Sequence, residues 1–512
     1  MTNSLSDSAG VGREPANLVN ALHVAILLSL SVAAIAWGEA LIFGGEGVQF
    51  RLYLALLAFY AAASALFVMS RIQATKLQLF ELPVFTTAFF FLQFGLMPLR
   101  NFIDPTQMNR SLSANGEDLV RALSYCILGM LAFWGGCELV RRKHRGRRAP
   151  EWGRLAAMLG SPRAGTMGTI VAVYALSFLT RFYLLRNQLY SYTGSMDKYY
   201  ANLASMQVLN YVNQFGTFAL VAVTIERYRD RSSPIWKTLF VIILSSEVLW
   251  GAISGMKNLI FQNFLAVALV CSVMTRRLNL RWLVLPVLGI ILLFPVNLAY
   301  RDLLRGKGSQ EVSSFQGAGR ATQMALQKAT QQGTNPGALW TTGIANTLER
   351  MDLLTNFAQV LALGPRLSFV KGDEPWWMLP IYPFVPRLLW PSKPIELEAD
   401  RFGIAIGARN SGTAITYQGS LYINFGLFGI PVGMFVLGLV VQWITNRLSG
   451  PMQRQDLFVY AGVFLAGFLL ESPVFTVWVG FIKMLAILYG LSWVIYGPRK
   501  RPRKLKKALP ES

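Results

Sequence analysis

The sequence predicts an all-α protein, a polytopic membrane helix bundle of about 12 transmembrane helices. Three observations predict it. Of 512 residues, 53% are hydrophobic and only 14% are charged, where an average soluble domain carries roughly 25% charged residues. Apolar runs close to the length needed to cross a bilayer, about 20 residues, recur along the chain. Arg and Lys gather in alternate connections between those runs, as they do when one side of a membrane is cytoplasmic.

The runs lie near 18–43, 52–70, 79–98, 119–140, 165–185, 207–225, 236–253, 258–275, 282–299, 419–445, 457–472 and 475–496. The first is too long for the core of a cleaved signal peptide and is expected to be retained as a span. Only Glu471, Ser472 and Pro473 separate the last two, which leaves open a kink within one long re-entrant segment. Glycine and proline inside several runs are tolerated, because neighbouring helices satisfy the backbone groups they free.

Orientation follows from the connections. Arg141, Arg142, Lys143, Arg145, Arg147 and Arg148 follow the fourth run, Arg227, Arg229 and Arg231 the sixth, and Arg276, Arg277 and Arg281 the eighth. In a twelve-helix count these share a side with the tail residues Arg499, Lys500, Arg501, Arg503, Lys504, Lys506 and Lys507. That side is the expected cytoplasm, with both termini on it and the chain in a bacterial inner membrane. The expected organisation is a cytoplasmic tail over 1–17, membrane helices over 18–299, a large periplasmic loop over 300–418, membrane helices over 419–496 and a basic tail over 497–512. Topology and attraction to anionic membrane lipids account for the net charge of +22, so no nucleic-acid partner is expected.

Cys126, Cys137 and Cys271 sit in apolar runs without a CxxC pair, and the only histidines are His23 and His144. No disulfide framework, metal site, cofactor or His-based triad is expected from them. Ionisable residues inside spans are functional hypotheses by default. Glu39, Arg121, Arg181, Glu247 and Lys483 qualify, although Glu39, Arg121 and Arg181 lie near helix ends from which a long side chain can reach the interface. For Lys483 the plainer reading is a carboxylate partner across the bundle.

The loop between the ninth and tenth runs exceeds a hundred residues and is not of disordered composition. It holds Trp340, Trp376, Trp377 and Trp390 and a helix-like stretch from Thr341 to Leu363, and so is expected to fold against the membrane. A second outer segment, Arg181 to Met206, is rich in tyrosine, with Tyr183, Tyr190, Tyr192, Tyr199 and Tyr200. The large loop carries twelve basic residues, among them Arg301, Arg305, Lys307, Arg320, Arg350, Arg366, Arg387, Lys393, Arg401 and Arg409. Outer loops run poor in Arg and Lys, so the excess calls for an external anion, and guanidinium forks suit phosphate oxygens. The plainer reading for any one arginine is an ion pair with one of the loop's nine acids, such as Asp302, Glu349, Asp352, Glu398 or Asp400. Arg301 and Arg305 follow the ninth run directly, at the depth of a lipid phosphate.

Three stretches carry a family resemblance: Pro383-Phe384-Val385-Pro386-Arg387-Leu388-Leu389-Trp390-Pro391-Ser392-Lys393-Pro394, then Gly412-Thr413-Ala414-Ile415-Thr416, then Tyr422-Ile423-Asn424-Phe425-Gly426-Leu427-Phe428-Gly429-Ile430. Together they resemble the Wzy-type oligosaccharide repeat unit polymerases of O-antigen and exopolysaccharide pathways. The turn Ser254-Gly255-Met256-Lys257 is similar to that family's Gly-Ser-Arg turn, with Lys257 in place of the arginine; a positive charge stays but a bidentate fork does not. The resemblance covers roughly residues 240–445. It implies a GT-C-like membrane glycosyltransferase without metal or cofactor, whose expected partners are polyprenyl-pyrophosphate-linked oligosaccharides, membrane lipids and a chain-length regulator protein.

On that implication the pyrophosphate is a charged leaving group, and catalysis rests on electrostatics and positioning. Arg301, Arg387, Arg401 and Arg409 are the expected catalytic cations and Asp400 the expected carboxylate, with Glu398 and Asp352 also available to take a proton from the acceptor hydroxyl. Arg305, Lys257, Lys393 and Arg181 are the expected substrate-binding cations. Tyr417 and Tyr422 are placed to stack on a sugar ring, and the plainer reading for both is anchoring at the interface. Two alternatives stay open. One is a ligase of the same superfamily, although such ligases use an outer-loop histidine by resemblance and this loop has none; the other is a twelve-helix transporter or flippase of lipid-linked glycans, although no internal repeat is visible.

Overall fold

The computed structural model describes residues 14–43, 47–72, 79–100, 115–143, 165–191, 201–275, 277–279, 281–305, 312–331, 351–364, 398–406, 414–448, 453–466 and 471–497, with single positions at 198, 381, 384, 385, 389 and 390. The described residues form helices and turns, with no strand among them. In chain order the helices are α1 (Glu14–Phe43), α2 (Val48–Met69), α3 (Leu82–Phe90, continued by a π turn over Phe91–Leu96), α4 (Gly116–Lys143), α5 (Thr166–Arg186), α6 (Leu203–Asn213), α7 (Phe215–Arg229) and α8 (Pro234–Ser254). They continue with α9 (Lys257–Thr275), α10 (Arg281–Arg305), α11 (Phe315–Gln331), α12 (Leu353–Leu363), α13 (Glu398–Ala405), α14 (Tyr417–Leu448), α15 (Arg454–Ala466) and α16 (Val474–Tyr496).

The apolar runs of the sequence overlap these helices, the run 207–225 being divided between α6 and α7 at Gln214 and the run 457–472 being described as helix only to Ala466. Among the described residues eight helices are long and apolar enough to cross a membrane: α2, α4, α5, the α6–α7 pair over Ala204–Arg229, α8, α9, α14 and α16. The protein is therefore a helical membrane bundle. Local chemistry sets several ends. Pro234 opens α8 where its missing N–H costs nothing, and Gly255 closes that helix in the left-handed region with φ 69°. Between α15 and α16 the chain does not run through as one kinked helix: Glu471 and Ser472 form a turn, Pro473 is extended, and α16 starts afresh at Val474.

Two main cores hold the bundle. One joins α2, α3, α4, α12 and the first half of α14 through Tyr53, Phe90, Phe94, Phe133, Phe357 and Ile430. The other joins α5, α7, α8, α9, α15, α16 and the far end of α14 through Phe218, Phe240, Leu269, Phe458 and Leu488. Within the first, α4 and α14 cross backbone to backbone. A Cβ at Gly438 would stand 2.1 Å from the Phe133 carbonyl oxygen and one at Gly136 2.3 Å from that of Phe435. The Cys137 thiol donates to the Gly438 carbonyl at 3.3 Å. Where lipid removes the hydrophobic drive between helices, such small-residue contacts supply the packing.

A third cluster closes the end of the bundle that carries the α8–α9 turn. Here α11, whose Ala318, Ala321 and Ala325 are buried, lies on Tyr190, Trp250, Tyr300 and Leu304. Tyr190 donates to the Trp250 carbonyl at 3.2 Å and Tyr300 to that of Ile253 at 3.0 Å. The opposite end carries the basic last turns of α4, α7 and α14. There Glu226 accepts from Arg229 at 2.7 Å and from Arg454 at 3.0 Å, tying α7 to α15.

Candidate functional site

The candidate site lies where the chain enters α14. Thr416, the residue before that helix, has φ 67°, a conformation that a β-branched side chain adopts only under strain from its surroundings. Three contacts hold it. Its N–H donates to the Glu471 carbonyl at 3.1 Å, its own carbonyl accepts from the Ser420 N–H at 3.0 Å, and its Oγ1 accepts from the Gly419 N–H at 3.0 Å. Thr416 thus caps α14 and ties its start to the α15–α16 turn.

One turn further along, Ser420 and Asn424 face Glu398, the first residue of α13. The Ser420 hydroxyl donates to Glu398 Oε2 at 2.5 Å and accepts from the Val474 N–H at 3.0 Å. Asn424 Nδ2 donates to Glu398 Oε1 at 2.7 Å and to the Ser420 carbonyl at 2.8 Å. Glu398 is 5% exposed and, among the described residues, meets neutral donors only. Burial pushes its carboxyl up from the usual range, and the hydrogen bonds from Ser420 and Asn424 pull partly the other way. Two acceptors nearby lack a donor among the described residues, Oδ1 of Asn424 and Oε1 of Gln93, while Gln93 Nε2 reaches Glu471 Oε1 at 3.5 Å. Gly426, two residues past Asn424, breaks α14 with φ 67° and ψ −162°. This is why the Tyr-x-Asn-Phe-Gly stretch has its form: the asparagine holds the carboxylate and the glycine turns the chain.

A second polar cluster is buried between α5, α6, α7, α8 and α9. Arg181 and Glu247 form a bidentate ion pair, Nη1 to Oε1 at 2.5 Å and Nη2 to Oε2 at 3.0 Å. Arg181 Nε also donates to Asn213 Oδ1 at 2.6 Å, and Thr217 Oγ1 donates to Asn263 Oδ1 at 2.8 Å. Gly216 makes room, since a Cβ there would lie 2.3 Å from Glu247 Oε1. The guanidinium, 5% exposed, does not reach up to an interface; it is held inside by a fully matched carboxylate.

The expected site residues divide accordingly. Arg181 is engaged by Glu247 and Asn213 rather than open to a ligand. Tyr417 is 1% exposed and accepts from Trp478 Nε1 at 3.0 Å, so its ring is core rather than a stacking platform; Tyr422 is half-buried. Asp352 caps α12, accepting from the Thr355 N–H at 3.0 Å and the Thr355 hydroxyl at 2.6 Å. Lys257 opens α9. Arg301 and Arg305 lie on the last two turns of α10, beside the Tyr190–Trp250 cluster, and Asp400 and Arg401 lie on α13 just after Glu398; the side chains of these four are outside the described residues, as are Arg387, Lys393 and Arg409 altogether. Sequence reasoning did not single out Ser420, Gln93, Asn213, Thr217 or Asn263, and Asn424 entered only inside a motif. The signal available was a polar residue in an otherwise apolar run.

No solved structure matches this chain. One family model does, over residues 172–493, from within α5 to within α16 and so without α1–α4. That is more than half of the sequence, and the chain belongs to the family described as a domain of unknown function (DUF8712).

Proposed function

We propose that this protein is a glycosyltransferase of the Wzy type, a polymerase of polyprenyl-pyrophosphate-linked oligosaccharide repeat units. In this reading it sits in a bacterial inner membrane with twelve spans and both termini in the cytoplasm, and residues 300–418 face the periplasm. The observation that carries the reading is the arrangement at the start of α14. A buried carboxylate that meets no cation among the described residues, Glu398, is held by Ser420 and Asn424, and among those residues Oδ1 of Asn424 and Oε1 of Gln93, whose Nε2 bonds to Glu471, have no donor. Hydroxyl-rich ligands satisfy such oxygens, and a carboxylate pushed toward neutrality is suited to take up a hydroxyl proton.

In the proposed reaction the acceptor hydroxyl oxygen attacks the anomeric carbon of the donor. The bond from that carbon to the pyrophosphate breaks, the hydroxyl proton passes to a carboxylate, and the pyrophosphate leaves with its charge stabilised by arginine. Glu398 and Asp400 are the candidate carboxylates, on one helix with Arg401. Arg301 and Arg305, at the end of α10, and the loop residues Arg387, Lys393 and Arg409 are the candidate cations.

The direct test supplies purified protein with polyprenyl-pyrophosphate-linked repeat units in excess EDTA and without any nucleotide sugar. Longer glycans are expected. A strict need for a divalent metal or a nucleotide-activated donor would sink the proposal, and transfer to a lipid A core with no elongation would replace it with the ligase reading. Orientation is tested separately by labelling single cysteines with a membrane-impermeant thiol reagent, in a background lacking the buried Cys126, Cys137 and Cys271. Cysteine at Ser309 is expected to label and cysteine at Ser161 is not.

A further inference from the structure

The end of the bundle opposite Glu398 holds a different polar feature. Arg71, just past α2, is 4% exposed. Its Nη1 donates to Gln442 Oε1, and its guanidinium carbon lies 4.6 Å from the centre of the Phe67 ring. Its other two nitrogens, Nε and Nη2, are buried and have no hydrogen-bond partner among the described residues. Gln442 Nε2 passes the chain on to Asn446 Oδ1 at 2.7 Å, and Asn446 Nδ2 is again a buried donor without a described acceptor. Next to them Arg141 on α4 donates to the Ser70 carbonyl at 2.9 Å.

The unmet groups here are all donors, and a buried guanidinium is the costliest of these to leave unpaired. The nearby carboxylates do not meet the need. Glu138 is engaged by Arg141 at 3.6 Å and Arg142 at 3.1 Å. Glu81 acts on Arg71 through space, with no ion pair between the two among the described contacts. Water satisfies a neutral donor, but two unmet guanidinium nitrogens, an amide and a second arginine fit an acceptor with several oxygens and negative charge.

We propose that Arg71, with Gln442, Asn446 and Arg141, forms a binding site for a phosphate oxyanion at the basic end of the bundle. The position, where α2, α4 and α14 end, is the depth at which the headgroup of an anionic lipid lies. The site is independent of the polymerase reading, because it involves neither Glu398 nor the outer loop.

The test uses the full chain, delipidated in a mild detergent at fixed ionic strength. It is titrated in separate arms with short-chain phosphatidylglycerol and with inorganic phosphate, and followed by the shift in thermal unfolding midpoint. Saturable stabilisation of the wild type is expected in at least one arm. Lipid alone identifies a headgroup site, and inorganic phosphate identifies a site for the free ion. Arg71→Gln should weaken the apparent affinity by at least about tenfold, the loss of a charge-assisted hydrogen bond. Asn446→Leu, which leaves Arg71 in place, should weaken it by a smaller factor. Should Arg71→Gln fail to fold, Asn446→Leu and Arg71→Lys carry the test. Lys237→Gln, an exposed charge on the first turn of α8, should change nothing. The proposal is overturned if neither probe stabilises the wild type, or if the Arg71 and Asn446 variants bind as tightly as the wild type does.

Discussion

Glu247 and Glu398 are both buried glutamates in one helical bundle, and they have opposite surroundings. Glu247 meets the fork of Arg181 with both oxygens, inside five helices. Among the described residues Glu398 meets a hydroxyl and a carboxamide and no cation. A matched ion pair neutralises charge and fixes geometry, so Glu247 serves as a structural clamp. A carboxylate with only neutral donors keeps its proton equilibrium open to change, which is the property a proton-transferring group needs. Burial alone therefore does not distinguish a functional acid from a structural one; the charge of its partners does.

The largest expected effect comes from breaking the clamp. Arg181→Ala strands the Glu247 carboxylate and should cost about 3–5 kcal/mol of stability, whereas the double change Arg181→Met with Glu247→Leu should recover most of it. Reversible unfolding in mixed micelles measures both, and a double variant no better than the single one would mean that the pair's hydrogen bonds to Asn213 matter more than its charge balance.

Glu398→Gln sharpens the contrast from the other side. It should lower chain elongation by at least about 10²-fold while costing only about 1–2 kcal/mol of stability. The wild-type rate should fall on the acid side with a midpoint above the ordinary glutamate value of about 4.3, because burial raises the Glu398 carboxyl and the base must be ionised to work. The sign for stability is the reverse. The folded state favours the protonated form, so this group's contribution is complete below the unfolded-state pKa and is lost as pH rises through the raised folded value. Asn424→Leu, which removes a donor to the carboxylate, should move the acid limb of the rate to higher pH; an unmoved limb would assign the titration to another group.

Ser420→Ala should cost about 1–2 kcal/mol, since it leaves both Glu398 Oε2 and the Val474 N–H without their partner. At the small end, Arg142→Ala breaks an exposed ion pair to Glu138 within one helix and should change stability by only about 0.3–0.5 kcal/mol. A larger loss there would show that the basic end of α4 does more than set topology.

The helices were legible in the sequence because hydropathy over a window of twenty residues is a local property. Arg181 and Glu247 were legible as anomalies for the same reason. Their pairing was not, because they are 66 residues apart and meet only when α5 and α8 take up a particular axial register. That register also turned Arg181 from an interface candidate into a clamp. Tyr417 looked interfacial by position but lies against Trp478 of α16. Glu398 stood as one of three loop acids available to take a proton, among nine in the loop; what separates it from Asp352 is that Asp352 bonds to its own helix start while Glu398 reaches across to α14. Gly426 was visible within a motif, but its positive φ is a property of the folded backbone alone.

The crossing of α4 with α14 carries a consequence in time. The thiol of Cys137 and the carbonyl of Gly438 that it meets are 301 residues apart in the chain. At a synthesis rate of roughly 5–20 residues per second, α4 enters the membrane roughly 15–60 s before its partner exists. During that interval the bare backbone strip at Gly136 faces lipid or a provisional neighbour. Assembly of the first core therefore waits on translation, and a pause between codons 143 and 417 lengthens the period in which another helix, or another copy of the chain, competes for that strip.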